Sequence, residues 1–153
     1  MGEKVVVTNR KARYEYEIID SVEVGLVLVG SEVKSIRSAR VNLSDSYGRV
    51  IKGEIWIIGM HISPYMEATT QNHDPLRERK LLLHRNEIKK LARKVQEKGF
   101  TLIPLRIYFK NNRAKLELGV ARGKRQYDKK VSIAQKDAKR EMEREQKKFK
   151  FKI

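Results

Sequence analysis

Thr101-Leu102-Ile103-Pro104-Leu105-Arg106-Ile107-Tyr108-Phe109-Lys110-Asn111-Asn112-Arg113-Ala114-Lys115-Leu116-Glu117-Leu118-Gly119-Val120 decides the fold. Two apolar segments, 101–109 and 114–120, flank Asn111-Asn112, a pair that tolerates the left-handed backbone of a tight hairpin turn. In the second segment Leu116, Leu118 and Val120 fall on one face and Lys115 and Glu117 on the other. That period of two is a half-buried strand, and two such strands joined by a short turn are antiparallel.

Upstream, Ile88, Leu91, Ala92 and Val95 recur at i, i+3, i+4 and i+7, so residues 85–98 read as a helix stopped by Gly99. Lys89, Lys90, Arg93 and Lys94 occupy its polar side. Lys80–Leu83 reads as a short strand, and 63–79, with Pro64, Asn72 and Asp74-Pro75, as a loop. Tyr47–Ile51 and Glu54–Ile62 flank Lys52-Gly53 as a second hairpin, with Trp56 expected in the core. Tyr14–Ile19 alternates and is expected as a strand after a basic lead-in, Asn9–Arg13; Val24–Val29 is expected as another. Gly30–Arg37 changes to helical spacing at Val33 and Ile36, with Ser31 placed to cap it. The sum is a mainly β domain of about six strands with two or three short helices. Such a sheet best removes its edges by curling into a small antiparallel barrel.

Charge divides the chain differently. Of 153 residues, 35 are Lys or Arg and 19 Asp or Glu, a net +16. Residues 121–153 hold thirteen of the basic residues and only five of the acidic ones. We therefore expect a domain over 1–120 and a basic tail over 121–153. The tail has few aliphatic residues to offset its ordering entropy, and is expected to be disordered when free. Ser132 to Gln135 has capping-box spacing and good helix formers follow. Yet the opposite-charge pairs Lys139–Glu143 and Glu143–Lys147 compete with like-charge pairs such as Lys136–Arg140 and Asp137–Glu141. A helix polar nearly all round is marginal alone, and phosphates would relieve its repulsion.

A basic head with a basic arm points to nucleic acid. A membrane surface would want a broad apolar helical face, which the tail lacks. The chain has no Cys, no run of the ~18 apolar residues a membrane helix needs, and no signal-peptide core at its start, which fits the cytoplasm. No enzymatic constellation is visible. His61, His73 and His84 lack metal-ligand spacing, and the sequence gives no sign of a catalytic residue or a cofactor. His73-Asp74-Pro75 reads as turn hydrogen bonding and His84 as a helix cap. Arg77, Arg79 and Lys80, the basic side of the 85–98 helix, and Arg122–Lys130 are candidates for phosphate neutralisation. Tyr14, Tyr16, Tyr47, Tyr108 and Tyr127 are stacking candidates or core. On composition alone Glu23 and Glu32 read as structural.

Several stretches, in order, carry a family resemblance. They are Asn9-Arg10-Lys11-Ala12-Arg13-Tyr14, Gly25–Val29 with Gly30-Ser31-Glu32-Val33-Lys34-Ser35, and Asn42-Leu43-Ser44-Asp45-Ser46-Tyr47. Then come Asn72-His73-Asp74-Pro75-Leu76-Arg77, Arg79-Lys80-Leu81-Leu82-Leu83, Tyr108-Phe109-Lys110-Asn111 and Gly119-Val120-Ala121-Arg122-Gly123-Lys124. Over roughly residues 9 to 130 the chain resembles small protein B, the SsrA-binding proteins of bacterial trans-translation.

The resemblance implies a closed barrel of the oligonucleotide-binding (OB) type and a non-enzymatic adaptor. Such an adaptor binds the tRNA-like domain of transfer-messenger RNA and brings it to stalled ribosomes. It implies as partners that RNA, the small-subunit rRNA and the empty mRNA channel, with elongation factor Tu and alanyl-tRNA synthetase reached only through the RNA. By matching motif it makes Glu23, Leu82 and Lys115 RNA-contacting, with Asn9, Arg13 and Lys124 neighbours of that surface; Lys11, Arg79 and Lys80 are RNA-binding candidates as well. Glu23 is thereby raised from structural to functional. In the tail, Gly123, Arg125, Tyr127, Asp128, Lys129 and Lys130 correspond to the stretch that meets the decoding centre, the rest becoming helical in the channel. Other members can carry His where this chain has Tyr127; stacking or hydrogen bonding can survive that difference, but with tyrosine no pH-dependent role sits there. A constitutive ribosomal protein is the competing reading.

Overall fold

The structure is a computed structural model that describes residues 3–65 and 72–123. The described residues belong to one compact unit, Met1–Gly123. The expectations for Lys124 and everything after it lie outside the described residues.

Asn9 organises the start of the chain. Strand β1, Lys4–Thr8, runs into it, and its side chain caps α1, Arg10–Glu15, by accepting from the Ala12 amide at 3.2 Å. Tyr14 and Glu15, expected in a strand, are therefore helical, because a satisfied N-cap outcompetes their alternation. Strand β2, Tyr16–Leu26, is one long strand where two were expected, and it ends before Val27. Helix α2 spans Gly30–Arg37, as its spacing predicts. Its N-cap is Val29 and not Ser31, with the Glu32 carboxylate accepting from the Val29 amide at 2.9 Å.

Next come β3 (Val41–Asn42), β4 (Tyr47–Ile51), β5 (Glu54–Ile58) and β6 (His61–Ile62). The Lys52-Gly53 turn joins β4 to β5 with positive φ at both residues. The expected strand to Ile62 breaks at Gly59, φ 79, and β6 pairs instead with β3 in a separate small sheet. Trp56 is half-buried on the outer face, because Ile55 and Ile57 take the inward positions.

Strand β7 is Arg79–Leu82 and α3 is Arg85–Lys98, ended by Gly99 at φ 66. Strands β8, Thr101–Lys110, and β9, Arg113–Gly123, form the hairpin over Asn111 and Asn112, at φ 53 and 62. Strand β9 runs on past residue 120 to Gly123.

All pairings are antiparallel, and the order β8-β4-β5-β7-β2-β9 returns to β8 to close a six-stranded ring. Strand β1, which sequence periodicity did not reveal, adds to β8 outside that ring. Inside lie Val24, Ile55, Ile57, Leu81, Leu102, Ile107, Leu116, Leu118 and Val120, joined by Ile36 of α2 and Leu91 of α3. Register shifts between Ile18 and Asp20 and between Pro104 and Arg106 reverse which side chains point inward. Ile18, Ile103 and Leu105 are thereby turned to the outside, where they join Ala12 and Ala121 in a second cluster beneath α1.

Candidate nucleic-acid interface

The alternation that buries Val24, Leu81 and Leu116 turns their neighbours outward. The register then aligns Leu82 of β7 with Gly25 of β2, Gly25 with Lys115 of β9, Lys115 with Tyr108 of β8, and Tyr108 with Val5 of β1. This row crosses five strands of the outer surface. Leu82 is 53% exposed and Val5 49%. Gly25 keeps the row low: a Cβ there would lie 3.2 Å from the Leu82 Cβ. A second row follows: Glu23 faces Glu117, Glu117 faces Arg106, and Arg106 faces Thr8.

The two rows are tied together. Tyr108 is 1% exposed, and its hydroxyl donates to Glu23 Oε2 at 2.6 Å. Lys110 Nζ reaches the same oxygen at 3.4 Å. The Arg106 guanidinium lies 4.4 Å from the Tyr108 ring centroid and pairs with Glu117, and with Glu3 at 3.2 Å. The Tyr108 hydrogen bond holds the Glu23 carboxyl below its ordinary pKa; partial burial opposes this and Lys110 assists. Tyr108 is pushed strongly up by burial and by donating to Glu23. At neutral pH the site therefore presents an ionised carboxylate, a half-buried Lys115 and an exposed leucine side by side on the outer face of the sheet. A carboxylate accepts base or sugar donors, a lysine neutralises phosphate, and an exposed apolar chain packs on a base or ribose face.

Glu23, Leu82 and Lys115 thus come together as neighbours on adjoining strands. The other expected residues are distributed differently. Lys80 is half-buried on β7, two residues before Leu82, with Nζ 3.0 Å from Glu54 of β5. Lys11 and Arg13 are exposed on α1; Lys11 Nζ lies 3.1 Å from Asp45 and 3.7 Å from Glu15, and these contacts raise its pKa. Asn9 is buried: besides capping α1, its Nδ2 donates to Pro104 O at 2.9 Å and Leu43 O at 3.3 Å.

Arg79 is fully buried, with Nε 2.6 Å from Glu32 Oε2. It also donates to Met60 O, to Asp74 O at 3.3 Å and to Pro75 O at 3.2 Å. Arg77 completes the cluster at 2.5 Å from Glu32 Oε1. Asn9 and Arg79 are internal struts, so the expected placement of their side chains on the binding surface does not match where they lie. Gly123 is exposed at the end of β9, while Lys124, Arg125, Tyr127, Asp128, Lys129 and Lys130 lie outside the described residues.

Periodicity missed Tyr108 as the anchor of Glu23. Its signal was a tyrosine following the inward Ile107 in a strand whose far side proves to be covered. Of the histidines, His73 is buried, with Nε2 2.8 Å from Ile62 O and Nδ1 2.8 Å from Ser31 Oγ, while Asp74 makes the expected turn bond to the Leu76 amide. His84 occupies the N-cap position of α3 without a side-chain capping bond. Among the described residues no group of His, Cys, Asp and Glu is placed to hold a metal, and no helix is long and apolar enough to cross a membrane.

A family profile described as SmpB protein matches residues 6–148. The SsrA-binding protein of Desulfitobacterium hafniense strain DCB-2 is 57% identical over 143 residues, covering 94% of this chain and 92% of that protein. Its counterpart in Syntrophomonas wolfei is 59% identical over 143 residues, covering 94% and 91%, and that of Acetivibrio thermocellus 57% over 141, covering 92% of each. Among solved structures, one described as "tmRNA-SmpB: a journey to the center of the bacterial ribosome" aligns with a TM-score of 0.67 at 44% identity. It covers 83% of this chain and 93% of that one.

Proposed function

The chain belongs to the SmpB family, and on that premise we propose that its barrel binds transfer-messenger RNA and delivers it to stalled ribosomes for trans-translation. It acts as an adaptor and not as an enzyme: what it contributes is binding and placement. The relatives share its length nearly end to end, and the structural neighbour, at 44% identity, is a tmRNA–SmpB assembly on the bacterial ribosome. Work on bacterial ribosomes supports a cytoplasmic location.

The observation that carries the site assignment is the row Leu82–Gly25–Lys115, with Glu23 beside it. A tRNA-like fold presents phosphates, ribose hydroxyls and a few unstacked bases, and the row offers a partner for each. Lys11 and Arg13, exposed on α1, and Lys124 add positive charge. Asn9 and Arg79 serve by holding α1 and the start of β7 in place. The tail, 121–153, reads the empty mRNA channel by charge and shape, with Tyr127, Asp128, Lys129 and Lys130 at the decoding centre, flanked by Gly123 and Arg125. Small-subunit rRNA is its direct partner; elongation factor Tu and alanyl-tRNA synthetase engage through the RNA.

Truncation after Gly123 tests this division. Affinity for the tRNA-like domain should stay within a few-fold of the full chain, while peptide tagging on stalled ribosomes is lost. Loss of RNA binding on truncation would instead favour a tail-driven, ribosomal-protein-like mode.

A further inference from the structure

A cavity-bearing surface lies well away from Glu23. Along β2, Tyr16 and Glu23 are seven residues apart, about 20 Å in extended chain. Beside Tyr16, between α1 and the turn before β4, opens a cavity of about 200 Å³. This is smaller than the ~300–1,000 Å³ of pockets for drug-sized molecules, and suits one bare ring system. Ala12 and Ile103 give it apolar lining, and two tyrosines, Tyr16 and Tyr47, line it beside them. Glu15 and Asp45 line it as well, with the small polar residues Ser44 and Thr101.

The walls are fixed before any ligand arrives. Asn9 locks the start of α1 to β8 through Pro104 O. The turn is closed by Ser46 Oγ donating to Leu43 O at 2.6 Å and the Ser44 amide donating to Asn42 Oδ1 at 2.8 Å. Gly59 packs against it so closely that a Cβ would lie 2.8 Å from Asp45 O. Lys11 holds one oxygen each of Asp45 and Glu15, leaving the other oxygen of each as an acceptor.

Two carboxylates sharing one lysine keep a net negative charge, which on a protein of net +16 that binds RNA disfavours the phosphate backbone. Their place in an aromatic-walled cavity makes sense if the ligand presents donors rather than phosphate. Unpaired bases are recognised by stacking on aromatic rings and hydrogen bonding along their edges, and adjacent N–H groups engage a carboxylate bidentately.

We propose that this cavity receives a single unstacked nucleobase of an RNA partner, and that its carboxylate rim selects a base with two N–H donors on one edge, as guanine has. The inference rests on the RNA-binding reading above but concerns a surface other than the Leu82–Gly25–Lys115 row, beside Lys11 and Arg13 of α1.

The test uses the full chain and three pentaribonucleotides, UUGUU, UUAUU and UUUUU, with anisotropy read at one fixed low salt concentration. UUGUU should bind about tenfold more tightly than the other two. Asp45→Asn should bring the three within about twofold of one another, UUGUU losing its advantage while UUAUU and UUUUU tighten slightly through the removed negative charge. Tyr47→Ala, at an exposed position, should weaken UUGUU about tenfold through lost stacking. Leu82→Ala, on the other surface, should leave the guanine preference intact. Equal affinities for the three wild-type complexes, or a preference that survives Asp45→Asn, would overturn the proposal. Binding of the tRNA-like domain is measured in parallel. If it is retained while the pentamers show no preference, only the cavity proposal fails; if it is absent, the RNA-binding reading itself fails.

Discussion

The Tyr108 hydroxyl donates to Glu23 Oε2 at 2.6 Å, reaching from β8 to β2 across the intervening strand β9. The bond passes over the outer face of the barrel, and Lys115 and Glu117 are the β9 positions it crosses. A buried tyrosine therefore fixes a surface carboxylate in place before RNA arrives, and one carboxylate oxygen remains for the ligand. Tyr108→Phe should cost about 1–2 kcal/mol of stability and weaken binding of the tRNA-like domain several-fold. The positioning role has its own signature. The Glu23 carboxyl, held low chiefly by this bond, should titrate closer to its ordinary value in the variant. An NMR titration of Glu23 that is the same in both proteins would remove Tyr108 from the site.

Lys115 and Gly25 act through different physics and should separate in a salt series. Lys115→Ala removes one phosphate partner, so the slope of log K against log salt should fall by about 0.9 for a duplex-like RNA. Gly25→Val leaves charge unchanged but drives a branched side chain into Leu82, whose Cβ already lies 3.2 Å from where the first added carbon would sit. Its affinity should drop with the slope intact. A reduced slope in Gly25→Val, or an unchanged one in Lys115→Ala, would contradict the assignment of these roles.

Glu32 and Arg79 form an ion pair with both side chains fully buried. Burial alone would raise the Glu32 carboxyl, but the Arg77 hydrogen bond, the Val29 amide and Arg79 together bring it below its ordinary value. Burial lowers the Arg79 pKa, though Glu32 opposes this, and in acid the guanidinium remains charged. A carboxylate with a depressed folded pKa stabilises the fold above its unfolded pKa of ~4.3, and that stability is lost as pH falls through the folded value. Urea midpoints should therefore fall steeply below about pH 4. Glu32→Gln should cost about 3–5 kcal/mol at pH 7, by leaving Arg79 without its charge partner. The gap between wild type and variant should narrow in acid, where wild type also loses the carboxylate. A gap independent of pH would show that the pair contributes by shape and not by charge.

The elements most legible in the sequence were those in which one period ran unbroken between strong stops. The α3 helix is bounded by His84 and Gly99, and the β8–β9 hairpin turns at two asparagines that both adopt positive φ. Legibility failed where register shifts invert the alternation. Past Ile18 in β2 and past Pro104 in β8 the inward parity changes, so no single period spans either strand. Strand β1 was invisible because Val5, Val6 and Val7 are consecutive and the strand sits on the outside of the ring. Of the site, residue type identified charge but not depth. Arg79 and Lys80 are adjacent in sequence, yet one is a buried strut and the other reaches Glu54 near the surface. Which of two neighbouring cations faces inward depends on strand register, which a charge run does not encode.

Asn9 offers a clean separation of capping from cross-linking. Its Oδ1 accepts from the Ala12 amide, and its Nδ2 donates to the carbonyls of Pro104 and Leu43. Asn9→Ala removes both functions and leaves two buried carbonyls short of a donor, so about 2–3 kcal/mol of stability should be lost. Asn9→Asp discriminates. Aspartate caps helices as well as asparagine does, so a purely capping residue would tolerate the change. Ionised aspartate has no N–H to give, and would set its second oxygen against two carbonyl oxygens in a site only 4% exposed. Asn9→Asp should therefore be at least as damaging as Asn9→Ala at pH 7, and should recover part of the loss near pH 4, where a protonated carboxyl can donate again. Chemical denaturation of both variants at the two pH values reads this directly. If Asn9→Asp matched wild-type stability at pH 7, the bonds to Pro104 and Leu43 would be incidental, and α1 would be held by its cap and its packing on Ile103 and Leu105 alone.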